Sequence, residues 1–128
     1  MTEVKSFDNL EVWQLGRDLV TKVYTLTASL PESETFGLTA QTKRAALSVP
    51  ANIAEGFGRY HYMDKAKFYL NARGSLYELK SHLLIAQDLG YFEGSQPVSD
   101  ILGLIDGLSV KMNNLIASTR KLKNKESQ

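Results

Sequence analysis

The 128-residue chain contains no cysteine, which excludes a disulfide framework and any chemistry that needs a thiolate. Its two histidines lack the Glu-x-x-His spacing with which helical bundles hold a pair of metal ions. No apolar run approaches the roughly 20 residues of a membrane span. The first residues do not place a basic stretch before an apolar block, as a signal peptide does. We therefore expect a cytoplasmic protein with no metal, no cofactor and no membrane partner.

The net charge is only +1, but the charges are unevenly distributed. Residues 1–34 carry three basic and six acidic side chains, and residues 35–82 carry seven and three. Residues 83–119 carry one and four, and residues 120–128 carry four and one. The two basic segments are candidate surfaces for an acidic partner. Alternatively, the acidic segments neutralise them within the fold or between subunits.

Apolar residues recur at spacings of three and four along the chain, a pattern that predicts helices and no strand. The predicted helices span about 8–29, 37–57, 63–89 and 98–122, followed by a polar tail at 123–128. Four helices with short loops are typical of an up-down-up-down bundle. The chain length suits one domain, so residues 1–128 are expected to form a single all-α four-helix bundle.

The first and fourth helices each show one apolar stripe. Asp8 or Asn9 is expected to cap the first helix. Its stripe consists of Leu10, Trp13, Val20, Val23 and Tyr24, widened by Leu19 and Leu26. The stripe of the fourth helix consists of Ile101, Ile105, Leu108, Met112, Leu115, Thr119 and Leu122. The unbroken alternation of four and three in the fourth helix is typical of a coiled-coil seam.

The second helix is apolar around most of its circumference, so it is predicted to be buried on most sides. Pro50 lies inside it and is expected to kink it, since the apolar pattern continues in phase on both sides. Gly56 and Gly58 are expected to end it. One narrow line of polar side chains remains on this helix. These side chains need hydrogen-bond partners if they are buried.

That polar line faces a second one on the third helix across a short turn. A turn centred near residue 61 predicts the pairs Arg44–Glu78, Ser48–Ser75, Asn52–Asn71, Glu55–Lys67 and Gln41–His82. Gly74 is expected to allow close approach of the two backbones. The predicted buried network consists of Gln41, Arg44, Ser48, Asn52, Glu55, Asn71, Ser75 and Glu78.

The third helix carries two apolar stripes. The first is predicted to face the core and consists of Tyr69, Ala72, Leu76, Leu79, Leu83 and Ala86. The second consists of Leu70, Tyr77 and Leu84 at heptad spacing. We predict that the second stripe is a subunit contact. The alternative is one wide core face.

Basic residues interleaved with aromatic residues predict a nucleic-acid surface, because cations neutralise phosphates and rings stack on bases. The predicted basic residues are Arg59, Lys65, Lys67, Arg73, Lys80, Arg120, Lys121 and Lys123. The aromatic neighbours are Tyr60, His61, Tyr62, Phe68 and Tyr69. The alternative is that the rings belong to the core and the cations to a solvated helix face.

No pattern in the chain predicts a reaction. Glu55 and Glu78 are the only candidate catalytic acids of the polar line, and no nucleophile or positioned base accompanies them. Ser48 has no histidine within its helix, and Gly56-Phe57-Gly58 lacks the strand that precedes a phosphate-binding loop. We therefore predict no catalytic residues and a protein that is not an enzyme.

Three segments resemble one bacterial family, the four-helix-bundle proteins encoded in intervening sequences of 23S ribosomal RNA genes. They are FDNLEVWQLGRDLVTKVY, LPESETFGLTAQTKRAALSVPANIAEGFGR and ARGSLYELKSHLLIAQDLGY. The resemblance implies an up-down bundle that assembles into a ring-shaped homopentamer without established enzymatic activity. It also places the polar line and the Gly74-Ser75/Glu78 group in the signature core of the family.

A relative of this family is the accessory variability protein of diversity-generating retroelements, which looks like a basic ring that binds nucleic acid and partners a reverse transcriptase. The net charge of +1 departs from a strongly basic ring. Three hypotheses follow. The first is a homo-oligomeric module that binds RNA or DNA or serves a retroelement. The second is an oligomeric scaffold that binds a protein partner without nucleic-acid affinity, and the third is an enzyme of unknown reaction.

Overall fold

The computed structural model describes the backbone of residues 4–126 and the side chains of residues 4–122. The four α-helices are α1 (Glu11–Thr27), α2 (Leu38–Phe57), α3 (Tyr62–Asp88) and α4 (Gln96–Glu126). Short 3₁₀ turns lie at Phe7–Asn9 and Glu32–Glu34. Residues 4–126 include no β-strand, which confirms the predicted all-α class.

The helices form a square in which each packs against its neighbours in sequence and α1 closes the bundle against α4. Short connections make consecutive helices antiparallel, so the predicted up-down-up-down four-helix bundle is confirmed. Helix α2 continues through Pro50 to Phe57. None of the helices within residues 4–126 combines the length and the apolar character needed to cross a membrane.

The core runs along the axis of the bundle, and α3 contributes the face that the sequence predicted. Its buried residues include Tyr69, Ala72, Leu76, Leu79, Leu83 and Ala86. Large aliphatic side chains from the other helices fill the space between them, among them Leu19, Ile53, Ile105 and Leu108. Burial of such side chains is the main favourable term in the folding of a bundle.

The stripe predicted for α1 is confirmed at Leu19, Val23 and Leu26, while Leu10, Trp13 and Val20 are partly buried against the core and the prediction is wrong for Tyr24. The buried face consists of Val12, Gly16, Leu19, Val23, Leu26 and Thr27, whereas Tyr24 is exposed. A Cβ at Gly16 would lie 3.4 Å from the Cβ of Pro50 on α2, which is an ordinary van der Waals distance. Gly16 is therefore buried against the proline ring, and a pattern of apolar side chains does not reveal a buried glycine.

The predicted cap of α1 is also wrong. Asp8 and Asn9 lie in the preceding 3₁₀ turn, and the N-cap residue is Leu10, which makes no side-chain cap. The backbone N–H of Leu10 donates to the carbonyl of Phe7, so the turn continues directly into the helix. The side chain of Asp8 instead accepts a hydrogen bond from the hydroxyl of Ser6.

The stripe of α4 differs from its prediction near the C-terminal end. Ile116 is buried and Leu115 only half-buried, while Leu122 is exposed. Lys111 Nζ lies 2.5 Å from Glu11 Oε1, so the first residue of α1 is level with Lys111 and α1 does not reach Leu122. Helix α4 continues to Glu126, so residues 123–126 of the predicted tail are helical. Residues 127 and 128 lie outside the described part of the chain.

The C-terminal end of α3 is a Schellman motif. Gly90 adopts a φ of 81°, a left-handed conformation that glycine reaches without steric cost. Its N–H donates to the carbonyl of Gln87 at 2.9 Å, and the N–H of Tyr91 donates to the carbonyl of Ala86 at 3.1 Å. The motif ends the helix and directs the chain toward α4.

Candidate nucleic-acid interface and subunit contact

A polar line joins α2 to α3 at the predicted register. Arg44 Nη2 pairs with Glu78 Oε2, and Arg44 Nε also donates to Gln41 Oε1 at 3.0 Å. One turn further along, the hydroxyls of Ser48 and Ser75 lie 2.8 Å apart. Both contacts agree with the pairs that a turn centred near residue 61 predicts.

Asn52 and Glu55 pair with residues four positions away along the chain instead of across the interface. Asn52 Nδ2 donates to the carbonyl of Ser48 at 2.8 Å and to its hydroxyl at 2.9 Å. Glu55 pairs with Arg59 at 3.2 Å rather than with Lys67. A partner one helical turn away is always within reach, and these side chains use it.

The remaining members of the line also differ from the expected pairs. Asn71 contributes its backbone carbonyl, which accepts from the Ser75 hydroxyl at 3.1 Å. His82 Nε2 lies 3.4 Å from Glu78 Oε2, but it is buried and makes no hydrogen bond of acceptable geometry there. The structure therefore does not bring His82 to Gln41, as the register predicted.

The polar line is partly exposed to solvent in a single chain. The side chains of Arg44 and Glu78 are 54% and 36% exposed. Gly74 lies on the surface, and a Cβ there would meet no atom within 4 Å, so it mediates no close approach within the subunit. In addition, Leu47 and Ala51 leave the outer side of α2 exposed, although the sequence predicted burial on most sides.

Substitution Glu78→Ala is expected to lower the free energy of unfolding by about 1 kcal/mol or less, because a partly exposed ion pair is weak. Urea denaturation of the variant and the parent measures this difference. A truly dry pair would cost about 3–5 kcal/mol when broken. A loss of that size would contradict the exposure of the pair in a single chain.

Three of the predicted nucleic-acid residues have side-chain partners within the chain. Arg59 pairs with Glu55 and lies 4.5 Å from the ring centre of Phe68. Arg73 Nη1 donates to Asn113 Oδ1 at 3.0 Å. Lys80 Nζ lies 2.8 Å from Asp106 Oδ1. The last two contacts show which residues of α3 and α4 lie level with each other.

Lys65 has a structural role that the sequence pattern did not reveal. Its Nζ donates to the carbonyl of Phe57 at 2.7 Å, in the last turn of α2. A cation at a helix C-terminus satisfies a free carbonyl and complements the helix dipole. Burial lowers the pKa of Lys65 from its ordinary value. Lys65, in the first turns of α3, therefore links the start of α3 to the end of α2 across the turn that joins them.

Lys67, Arg120 and Lys121 are exposed, and within the described side chains no ion pair or side-chain hydrogen bond engages them. Lys67 and Arg120 line the same surface cavity of 310 Å³, together with Leu70. This cavity lies where the start of α3 meets the end of α4. The side chain of Lys123 lies outside the described residues.

The predicted aromatic residues of the α2–α3 turn and of the start of α3 differ in exposure. Tyr60 is 85% exposed in the α2–α3 turn and makes an edge contact with His61, with ring centres 5.0 Å apart. Tyr62 and Phe68 are half-buried. Tyr69 is a core residue, and burial raises the pKa of its hydroxyl. Tyr69 is therefore unavailable to stack on a base, which corrects the prediction.

The bundle has a basic end and an acidic end. The basic end is formed by the α2–α3 turn and the last turns of α4, and its cations are Arg59, Lys65, Lys67, Arg120 and Lys121. The acidic end is formed by the α1–α2 and α3–α4 loops and the residues beside them, and its carboxylates are Glu32, Glu34, Asp88, Glu93 and Asp100. Opposite charges are also present, Glu55 and Asp64 at the basic end and Lys22 and Lys43 toward the acidic end, so the charge is partly separated along the bundle axis.

The second stripe of α3 lies on the outside of the subunit. Leu70 is half-buried, while Tyr77 and Leu84 are 52% and 42% exposed. Ile85 on the same helix and Val110 on α4 are also exposed. We refer to Leu70, Tyr77 and Leu84 as the outer stripe.

The described residues contain no group of three or more histidine, aspartate or glutamate side chains placed to hold a metal ion. The fold and these surfaces define a four-helix bundle with a basic end and an exposed outer stripe. The family model of the 23S rRNA-intervening sequence protein matches residues 8–114. The chain belongs to this family, which confirms the resemblance seen in the sequence. A comparison with curated proteins found no match.

Proposed function

We propose that the chain is the non-enzymatic subunit of a cytoplasmic homo-oligomeric ring, of five subunits as the family resemblance implies, that binds nucleic acid at its basic end. The observation that carries the proposal is the combination of an outer stripe and a charge-polarised bundle. Subunits assembled with parallel axes would place every basic end on one face of the ring. Repetition of three or more free cations per subunit would give an affinity for phosphates that a single subunit lacks.

The outer stripe supports assembly because it exposes an aromatic and an aliphatic residue at heptad spacing on a long helix. The stripe runs from Leu70 to Leu84, 14 residue steps or about 21 Å of helix. Contacts along a helix face of this length are typical of bundle and coiled-coil interfaces. Glycine at position 74, beside the stripe, leaves open space for a neighbouring subunit.

Light scattering at about 50 mM and 500 mM salt, with and without a mixed-sequence RNA, tests both parts of the proposal. We expect an oligomer under both conditions, and bound RNA only at the lower salt, because phosphate contacts weaken as salt rises. An oligomer indifferent to RNA would favour the alternative, a scaffold for a protein partner. A monomer would contradict the ring.

Variants Tyr77→Glu and Leu84→Glu are expected to convert the oligomer to monomers, because each places a charge in an apolar contact that must lose its water. Asn114→Glu is the matched control, since Asn114 is exposed on α4 outside the outer stripe. Light scattering gives the mass of each variant. A ring that survives both stripe substitutions would refute this placement of the subunit contact.

A further inference from the structure

Phe36 is 94% exposed in the α1–α2 loop. It has no polar atom that would benefit from water, in contrast to the tyrosine at position 60 at the other end of the bundle. An aromatic side chain contributes about 150–250 Å² of apolar surface when it is buried. The ring of Phe36 is therefore a projecting apolar group that its own chain leaves in solvent.

The loop holds Phe36 in a defined position. The hydroxyl of Thr35 donates to the carbonyl of Glu32 at 2.7 Å, and the N–H of Gly37 donates to the carbonyl of Glu34 at 3.0 Å. The hydroxyl of Tyr91 donates to Glu34 Oε2 at 2.9 Å and ties this loop to the α3–α4 loop. A group held in place before binding loses less conformational entropy when it docks.

A groove of 480 Å³ lies between the C-terminal half of α1 and the start of α4. Leu26 and Ile101 are buried at its floor, and Pro97 lines it beside them. The hydroxyls of Thr25 and Ser29 are already bonded to carbonyls of α1. The groove therefore offers an apolar floor beside α1 hydroxyls that are already bonded, with Lys22 and Asp100 also in its lining, and this floor suits an apolar group.

The groove and Phe36 lie at the same end of the bundle, because the α1–α2 loop follows directly from the C-terminal end of α1. A contact between two different patches at the same height along the axis can close into a ring, whereas a difference in height produces a filament. The groove carries one charge of each sign: Lys22 has no ion pair among the described side chains, and Asp100 accepts a hydrogen bond from Gln96 Nε2 at 3.0 Å. Glu32, which is exposed near Phe36, can therefore pair with Lys22.

We propose that Phe36 of one copy of the chain inserts into the α1–α4 groove of a neighbouring copy. The inference rests on the proposed homo-oligomer and names one of its contacts. A stable interface buries about 1,200–2,000 Å² in total, so one aromatic ring cannot hold two subunits together. The phenylalanine fixes the angle between neighbours, and other exposed faces, the outer stripe included, supply the remaining area.

Substitution Phe36→Asp is expected to raise the protein concentration needed for assembly by about ten- to a hundred-fold, because one aromatic side chain is no longer buried. Thr25→Trp, which fills the groove, is expected to act in the same direction. The matched control is Tyr60→Asp, the same change at an exposed aromatic of the opposite end. Light scattering over a range of concentrations measures assembly, and circular dichroism checks that each variant remains helical.

The absence of cysteine permits a direct test by disulfide formation. A tagged Phe36→Cys chain mixed with an untagged Thr25→Cys chain is expected to form a covalent heterodimer on mild oxidation. Tyr60→Cys mixed with Thr25→Cys is expected to form none. If the parent assembles, but Phe36→Asp assembles equally well and no link forms, the groove contact is wrong and the ring stands. A parent that remains monomeric throughout overturns both.

Discussion

Substitution Gly56→Ala is expected to lower the free energy of unfolding by about 1–3 kcal/mol, the usual cost of forcing an extra group into a packed core. A Cβ at this position would lie 2.7 Å from Tyr69 Cε1 and 2.9 Å from Tyr69 Cδ1. It would also lie 3.1 Å from the Cβ of Phe68. Tyr69 is 3% exposed, so its ring has no open space into which it can move.

The direction of this effect is diagnostic, because alanine normally stabilises a helix by about 1 kcal/mol relative to glycine. Gly107→Ala is the matched control: Gly107 is exposed on α4, and a Cβ there would meet nothing within 4 Å. We expect the control to gain stability while Gly56→Ala loses it. Urea denaturation at one fixed protein concentration measures both, since the stability of an oligomer depends on concentration.

A gain of stability in both variants would show that Tyr69 and Phe68 rearrange without cost. The expected loss at Gly56 would instead show that the end of α2 packs too closely against Tyr69 and Phe68 of α3 to admit a methyl group. Gly56 was interpreted from the sequence only as a helix stop. A glycine that ends a helix and a glycine that admits a neighbouring ring look the same in sequence, and only the position of Tyr69 separates them.

The helices and the core face of α3 could be predicted from sequence because they depend on local periodicity. Residues three and four apart share a helix face whatever the rest of the chain does. The buried face of α1 also includes Gly16, which packs against Pro50, 34 positions further along the chain. Such a contact depends on the arrangement of two helices, and no local pattern encodes it.

The candidate site was harder to predict, because a sequence does not show which cations are paired. Lys80 and Lys67 lie on the same helix, yet Lys80 meets Asp106 whereas Lys67 is exposed at the basic end. The difference follows from the register between α3 and α4. The register between α2 and α3 was predicted more closely, because a short turn fixes it, and the Arg44–Glu78 and Ser48–Ser75 contacts agree with it.

Neutralising two of the free cations, Lys67→Gln with Arg120→Gln, is expected to weaken RNA binding at low salt by on the order of tenfold or more. For single-stranded RNA, the slope of log K against log salt should become shallower by about 0.7 for each phosphate that the variant no longer neutralises. The physical reason is that these cations have no carboxylate partner among the described side chains, so phosphates would be their main counter-charges.

The matched control neutralises two cations that already have partners, Lys43→Gln with Lys80→Gln. Lys43 lies 4.8 Å from the ring centre of Tyr24, and Lys80 pairs with Asp106. Both double variants change the net charge by the same amount, so a purely nonspecific charge effect would weaken binding equally. Filter binding across a salt series separates the cases. A loss confined to Lys67 and Arg120 would locate the phosphates at the basic end, and equal losses would contradict that location.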